Sequence, residues 1–133
     1  SWAFSTGLDM NWLNYKDIYN SGVSKYVANS YKEAEYFFEL AITKSPDDAL
    51  PYVARGASRL KLGKDNKSIE DLKQASNIFL KQGNLENHQL LSNLINSLNK
   101  KLKEKSKSKS NSIGIGSNLL QTSLSLMRIM APF

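Results

Sequence analysis

Residue types that do chemistry are thin in this chain. His88 is the only histidine, and there is no cysteine. That removes a thiolate nucleophile, a thiolate metal site and a disulfide framework. A catalytic imidazole needs a partner to orient it, and no cluster of carboxylates accompanies His88. It reads as a surface residue of a helix. Asp47 and Asp48 follow Pro46, which suits an acidic helix start better than a metal pair. Gly114-Ile115-Gly116 is too short for a dinucleotide fingerprint and reads as linker. Asn66-Lys67-Ser68 is a formal glycosylation sequon that means little without a secretory signal. No His-Glu-x-x-His, nucleophile elbow or phosphate loop occurs. The expectation is no enzyme, no cofactor and no metal.

Charge is the second clue. The 133 residues carry a net charge of +6. Residues 1–99 hold 11 Lys and Arg against 11 Asp and Glu, so the excess lies in residues 100–133. Six lysines fall within 100–109. The body is neutral and the tail is basic. The start, SWAFSTGLDMNWL, lacks both an initiator Met and a signal peptide's pattern, and reads as a fragment or a processed product. No apolar run reaches the roughly 18 residues that span a bilayer. A cytoplasmic location follows, with a site peripheral to a membrane as the alternative.

The elements that would position any site are helical. Apolar residues at helical spacing predict a helix over 12–28 from Trp12, Tyr15, Tyr19, Val23 and Tyr26. A turn at Asn29-Ser30 leads to a second helix over 31–43. There Ser30 and Glu33 form a capping-box pattern. A third helix runs over 48–62, with Gly63 as its C-cap. A fourth covers 66–81 and a fifth 85–103. Turns of two to five residues imply antiparallel neighbours. Trp2, Phe4 and Leu8, in a lead segment over 1–11, read as anchors onto the first hairpin. A Lys/Ser linker over 104–116 and an apolar segment over 117–133 follow the helical domain, which spans 12–103.

Within that domain Gly22, Tyr26, Ala34, Phe38 and Ala41 recur 34 residues later as Gly56, Leu60, Ser68, Leu72 and Ala75. A fixed period of this length marks stacked helical hairpins, each too small to bury its own apolar face. Small residues let helix backbones approach within about 8–9 Å. Phe38 and Leu72 would fill the space beside Gly22 and Gly56. The fold class is therefore all-α: stacked antiparallel hairpins, two repeats plus a capping helix.

The stretch YKEAEYFFELAITKSPDDA resembles the second helix and inter-repeat turn of a tetratricopeptide repeat, through Tyr31, Ala34, Phe38, Ala41 and Pro46. The second repeat is similar at Gly56, Gly63, Leu72 and Ala75. It departs at Ser68, where alanine is usual, and at Leu80, where proline is common. The sequence IFLKQGNLENHQLLSNLINSL resembles the capping helix of bacterial repeats of this type, cyanobacterial ones especially.

The resemblance implies scaffold, adaptor or assembly work, and a concave groove lined by the first helix of each hairpin. Carried onto this chain, the groove would present Lys16, Tyr19, Val23 and Tyr26, then Leu50, Val53, Ala57 and Lys61. Tyr26 and Leu60 have an equal alternative as packing within a hairpin. Val23 and Ala54 or Ala57 stand where a carboxylate clamp would need asparagines, so an apolar or amphipathic protein segment is the expected partner.

In the C-terminal segment Leu120, Leu124 and Met127 fall on one helical face, flanked by Leu119, Leu126 and Met130, as in an amphipathic helix. It could lie on an anionic membrane with the lysines as a second signal. It could equally dock on a partner, fill the groove of its own chain or a neighbour's, or stay disordered. Nucleic acid is disfavoured as a partner, because the lysines lack arginine and aromatic interleaving. An accessory role through the Lys run ranks third.

Overall fold

A computed structural model describes residues 14–108 and 120–132, and the described residues are all helical with turns between. The helices are α1 (Tyr15–Val27), α2 (Tyr31–Lys44), α3 (Ala49–Lys61), α4 (Asp65–Lys81), α5 (Leu85–Ser108) and α6 (Leu120–Ile129). Each of the first four packs on the next, and α6 returns to pack on α3. The anchors expected at Trp2, Phe4 and Leu8 lie outside the described residues, as do Trp12, Gly114, Gly116 and Leu119.

Local chemistry fixes the helix ends. The Asp17 backbone N–H donates to Asn14 Oδ1 at 2.8 Å, capping α1. The Leu50 N–H donates to Asp48 Oδ1 at 3.0 Å, so the acidic pair does start α3. Ser30 departs from expectation: its side chain makes no capping bond. The helix entry is set instead by the turn before it. Asn29 takes a left-handed φ of 65°, and Ser30 N–H donates back to the Lys25 carbonyl at 2.8 Å. Gly63 repeats this at φ 78°, with Lys64 N–H donating to the Arg59 carbonyl at 2.8 Å. Gly83 repeats it again, with Asn84 N–H donating to Phe79. These are Schellman closures, which satisfy carbonyls the helix leaves open. They keep the connections to a few residues and turn each helix back on its predecessor.

The small–large pairing recurs as the period requires. A Cβ on Gly22 would stand 2.5 Å from Phe38 Cε1, and one on Gly56 would stand 3.0 Å from Leu72 Cδ2. Phe38 is fully buried and stacks tilted on Tyr19, with ring centroids 5.6 Å apart. Ser68 is buried like the alanine it replaces, and its hydroxyl donates to the Gly56 carbonyl at 2.7 Å. Leu80 is exposed, and α4 continues past it to Lys81.

Two expectations need correction. The fifth helix does not end at 103 but runs to Ser108, into the stretch read as linker. Lys, Leu and Glu are good helix formers, and lysines in the last turns complement the helix dipole. His88 is not a plain surface residue. It is half-buried against α4, with Nδ1 3.0 Å from the Ser76 carbonyl and 2.8 Å from Ser76 Oγ. Ser76 Oγ in turn lies 3.3 Å from the His88 carbonyl and 3.4 Å from Ser92 Oγ. This ties α5 to α4.

A charge network binds α2, α3 and α4. Asp71 is buried and receives Arg55 through Nε at 3.0 Å and Nη2 at 2.9 Å, and Arg59 Nη1 at 2.9 Å. Arg59 Nε donates to Glu35 at 2.8 Å, and Lys64 Nζ reaches the same carboxylate at 3.0 Å. Burial pushes the Glu35 carboxyl up, but the hydrogen bonds and charges of Arg59 and Lys64 outweigh it and hold it below its usual value of 4.5. Burial likewise opposes the Arg55 charge, and Asp71 more than offsets that.

A depressed carboxylate stabilises the fold above its unfolded pKa, and that contribution is lost as pH falls through the folded value. Glu35→Gln should therefore lower the melting temperature at neutral pH and leave a shallower loss between pH 5 and 3, within the roughly acidic range set by carboxylates. Melting followed by circular dichroism across that range checks it. An acid limb identical to the parent's would exclude Glu35 as a contributor.

Candidate functional site

Tyrosines line the side of the molecule where α1 and α3 face α6. Tyr15, Tyr19 and Tyr26 follow one another along α1 at steps of four and seven residues, which puts them on one helix face. Tyr19 and Tyr26 are buried, as are Val23 between them and Val53 and Ala57 on α3. Leu50 and Lys61 are half-buried, and Lys16 is exposed. Tyr26 meets Tyr31 edge-to-face at 5.2 Å, and Lys61 Nζ sits 5.9 Å from the Tyr31 ring centroid.

Helix α6 occupies this side. The Tyr19 hydroxyl donates to the Met130 carbonyl at 2.8 Å, a bond between residues 111 apart in sequence. Leu126 and Met130 join the same buried apolar cluster as Tyr19, Val53 and Ala57. At the other end, Tyr26, Tyr31 and Lys61 share a cleft of about 190 Å³ with Ser123, Leu124 and Met127. Tyr19 lies early in α1 and meets the last turn of α6; Tyr26 lies late in α1 and meets its start. Helix α6 therefore runs antiparallel to α1.

The tyrosines remain neutral. Burial first, and then the Asp48 carboxylate, raise the hydroxyl pKa of Tyr15 and Tyr19. Burial, with Tyr31 beside it, pushes Tyr26 up to about 12 against a small opposing effect of Ser123. A neutral phenol donates one hydrogen bond and presents an apolar ring. This chemistry suits an uncharged helix end, whose last carbonyls lack partners.

The expected face of the C-terminal segment is only partly the one that packs. Leu126 and Met130 are buried, but Leu124 and Met127 are exposed, and the packed face is completed by Thr122 and Ser123. The segment's described helix covers ten residues, Leu120–Ile129. Leu120 opens it. The hydrophobic stripe identified the helix but not the whole of its inward edge, where Thr122 and Ser123 are also buried, Ser123 at the Tyr26 cleft. The spacing of Thr122, Ser123, Leu126 and Met130 was the signal available in the sequence.

Replacing Tyr19 by phenylalanine keeps the ring and removes the hydroxyl that α6 accepts. The expected loss is about 1 kcal/mol, with faster amide exchange confined to α6. Unchanged exchange in residues 120–130 would show that the bond does not hold the helix.

A second cleft, of about 280 Å³, lies between α4 and α5 and is lined by Lys73, Ser76, Asn77, His88 and Ser92 among others. Its histidine and serine are engaged with each other's backbone, as a pin between helices. Among the described residues, no three His, Asp or Glu side chains gather as a metal-ligand group. No helix among them is long and apolar enough to cross a membrane. Comparison with protein-family models, curated proteins and solved structures finds no match to this chain.

Proposed function

We propose that this chain is a non-enzymatic protein-interaction module, an adaptor or assembly factor whose hairpins α1–α2 and α3–α4 form a tetratricopeptide-like pair capped by α5. Its groove holds an apolar or amphipathic helix of a partner. One observation carries this reading: the α1 and α3 side already accommodates a helix, α6, through buried apolar side chains and a directed tyrosine hydrogen bond. The recurrence of Gly22–Phe38 contact as Gly56–Leu72 contact supports the repeat arrangement.

A photo-crosslinking residue placed at Lys61, on the cleft, and another at Asn93, exposed on α5, test the reading in the full chain. Adducts with a protein partner at position 61 and not at 93 are expected. Equal yields at both positions would remove the groove as the binding face.

A membrane-peripheral role is the second reading, favoured by the exposed Leu124 and Met127 beside Arg128. Flotation with anionic liposomes, with and without residues 110–133, separates the two. Equal flotation of both forms counts against the lipid reading.

A further inference from the structure

We propose that α6 is a tethered stand-in for the partner helix, so that its buried face spells the pattern the groove recognises and its release opens the site. This rests on the groove reading above and adds the partner's chemistry and its control. The partner is an amphipathic helix carrying two adjacent small residues, a large apolar residue three positions after the second, and another four positions further on. It lies antiparallel to α1, with its last turn toward Tyr19.

Each requirement comes from a contact. Ser123 lies against Tyr26 at the cleft, where the ring leaves space for a small side chain. Thr122 beside it is also buried. Leu126 is 0% exposed and Met130 1%, so the groove takes a large apolar side chain at both positions. The Met130 carbonyl receives the Tyr19 hydroxyl, which fixes the partner's direction, because the open carbonyls of a helix lie at its C-terminus.

The same helix is a poor permanent fit. It buries two hydroxyl residues while leaving Leu124 52% and Met127 40% exposed. It is ten residues long, shorter than a helix that is stable by itself in water. Attachment to the same chain is what keeps such a segment in place, because a tether sets an effective concentration of about millimolar. A helix with the same inward pattern and a better outward face displaces it from solution. Apparent affinity then falls by the fraction of time that α6 occupies the groove.

The test uses the full-length chain and a fluorescein-labelled peptide of residues 117–133, followed by anisotropy. Leu126→Lys places a charge where the groove is closed to water and expels α6 without altering the groove walls. The peptide should bind this variant at least tenfold more tightly than the parent chain. The same peptide carrying Leu126→Lys should bind neither. Ser123→Phe, which blocks a different contact, should produce the same gain, and circular dichroism with amide exchange verifies that α1–α5 stay folded and that α6 is released. Equal affinity for parent and variants overturns the gating while leaving the groove reading intact. Release of α6 without any peptide binding overturns both. A parent chain that sediments as a dimer with α6 exchanged between copies overturns occupancy by the chain's own helix.

Discussion

An Asp71→Ala chain should unfold in urea with about 3 kcal/mol less stability than its parent, the scale for removing one partner of a buried ion pair. Asp71 is 6% exposed, whereas Arg55 and Arg59 are 17% and 16% exposed. The carboxylate is thus the enclosed member, and it receives three hydrogen bonds from two guanidinium groups. Alanine leaves Arg55 half-buried with only the distant Glu39, 4.0 Å away, as counter-charge. Arg59 keeps Glu35, which limits the damage. Asp71→Asn preserves volume and should cost nearly as much, because charge rather than shape carries the effect. A double-mutant cycle with Arg55→Ala should show coupling of about 1.5–3 kcal/mol. Coupling near zero would mean that Arg55 rehydrates freely and that the network is ornamental to stability.

Phe38→Ala should cost about 4 kcal/mol, within the range for deleting a buried aromatic ring. Phe38 is fully enclosed, covers Gly22 and stacks on Tyr19. Its loss empties the first hairpin and loosens a ring that holds α6. The complementary change, Gly22→Ala, overpacks the same contact. Overpacking costs about 1–3 kcal/mol, and replacing a helix-interior glycine returns about 1 kcal/mol. The net loss should be modest and should exceed that of Gly56→Ala, because an aromatic ring yields less readily than the end of Leu72. Combining Gly22→Ala with Phe38→Leu should cost less than the two changes summed. Strict additivity would indicate that the two residues do not share their space.

The helices and the Gly22–Phe38 contact were legible because both are local or periodic properties of the chain. Side chains at steps of three and four declare a helix, and a period of 34 declares which small residue meets which large one. The all-α class followed from that. The Asp71 network was not legible. Arg55 and Arg59 stand four apart, as do Glu35 and Glu39, but nothing in one sequence states that the faces of α2, α3 and α4 meet. His88 was misjudged for the same reason, since its partner Ser76 lies on another helix. The site was half legible. Tyr19 and Tyr26 were picked out by their spacing, yet both are buried, and the inward edge of α6 mixes Thr122 and Ser123 with Leu126 and Met130. Hydrophobicity ranks faces of an isolated helix, whereas the face that turns inward depends on the surface it meets.

The bond between Tyr19 and Met130 joins positions 111 residues apart, and this has a consequence for the order of events during synthesis. Helices α1 and α3, with α4 that packs on α3, are complete once Lys81 has been made, whereas Met130 follows 49 residues later. At roughly 5–20 residues per second, several seconds separate the two. Each newly made molecule therefore passes through an interval in which α1–α4 exist and α6 does not. On the reading proposed above, a partner helix meets no competitor in that interval, so the moment of birth is the one at which this surface is most open to company.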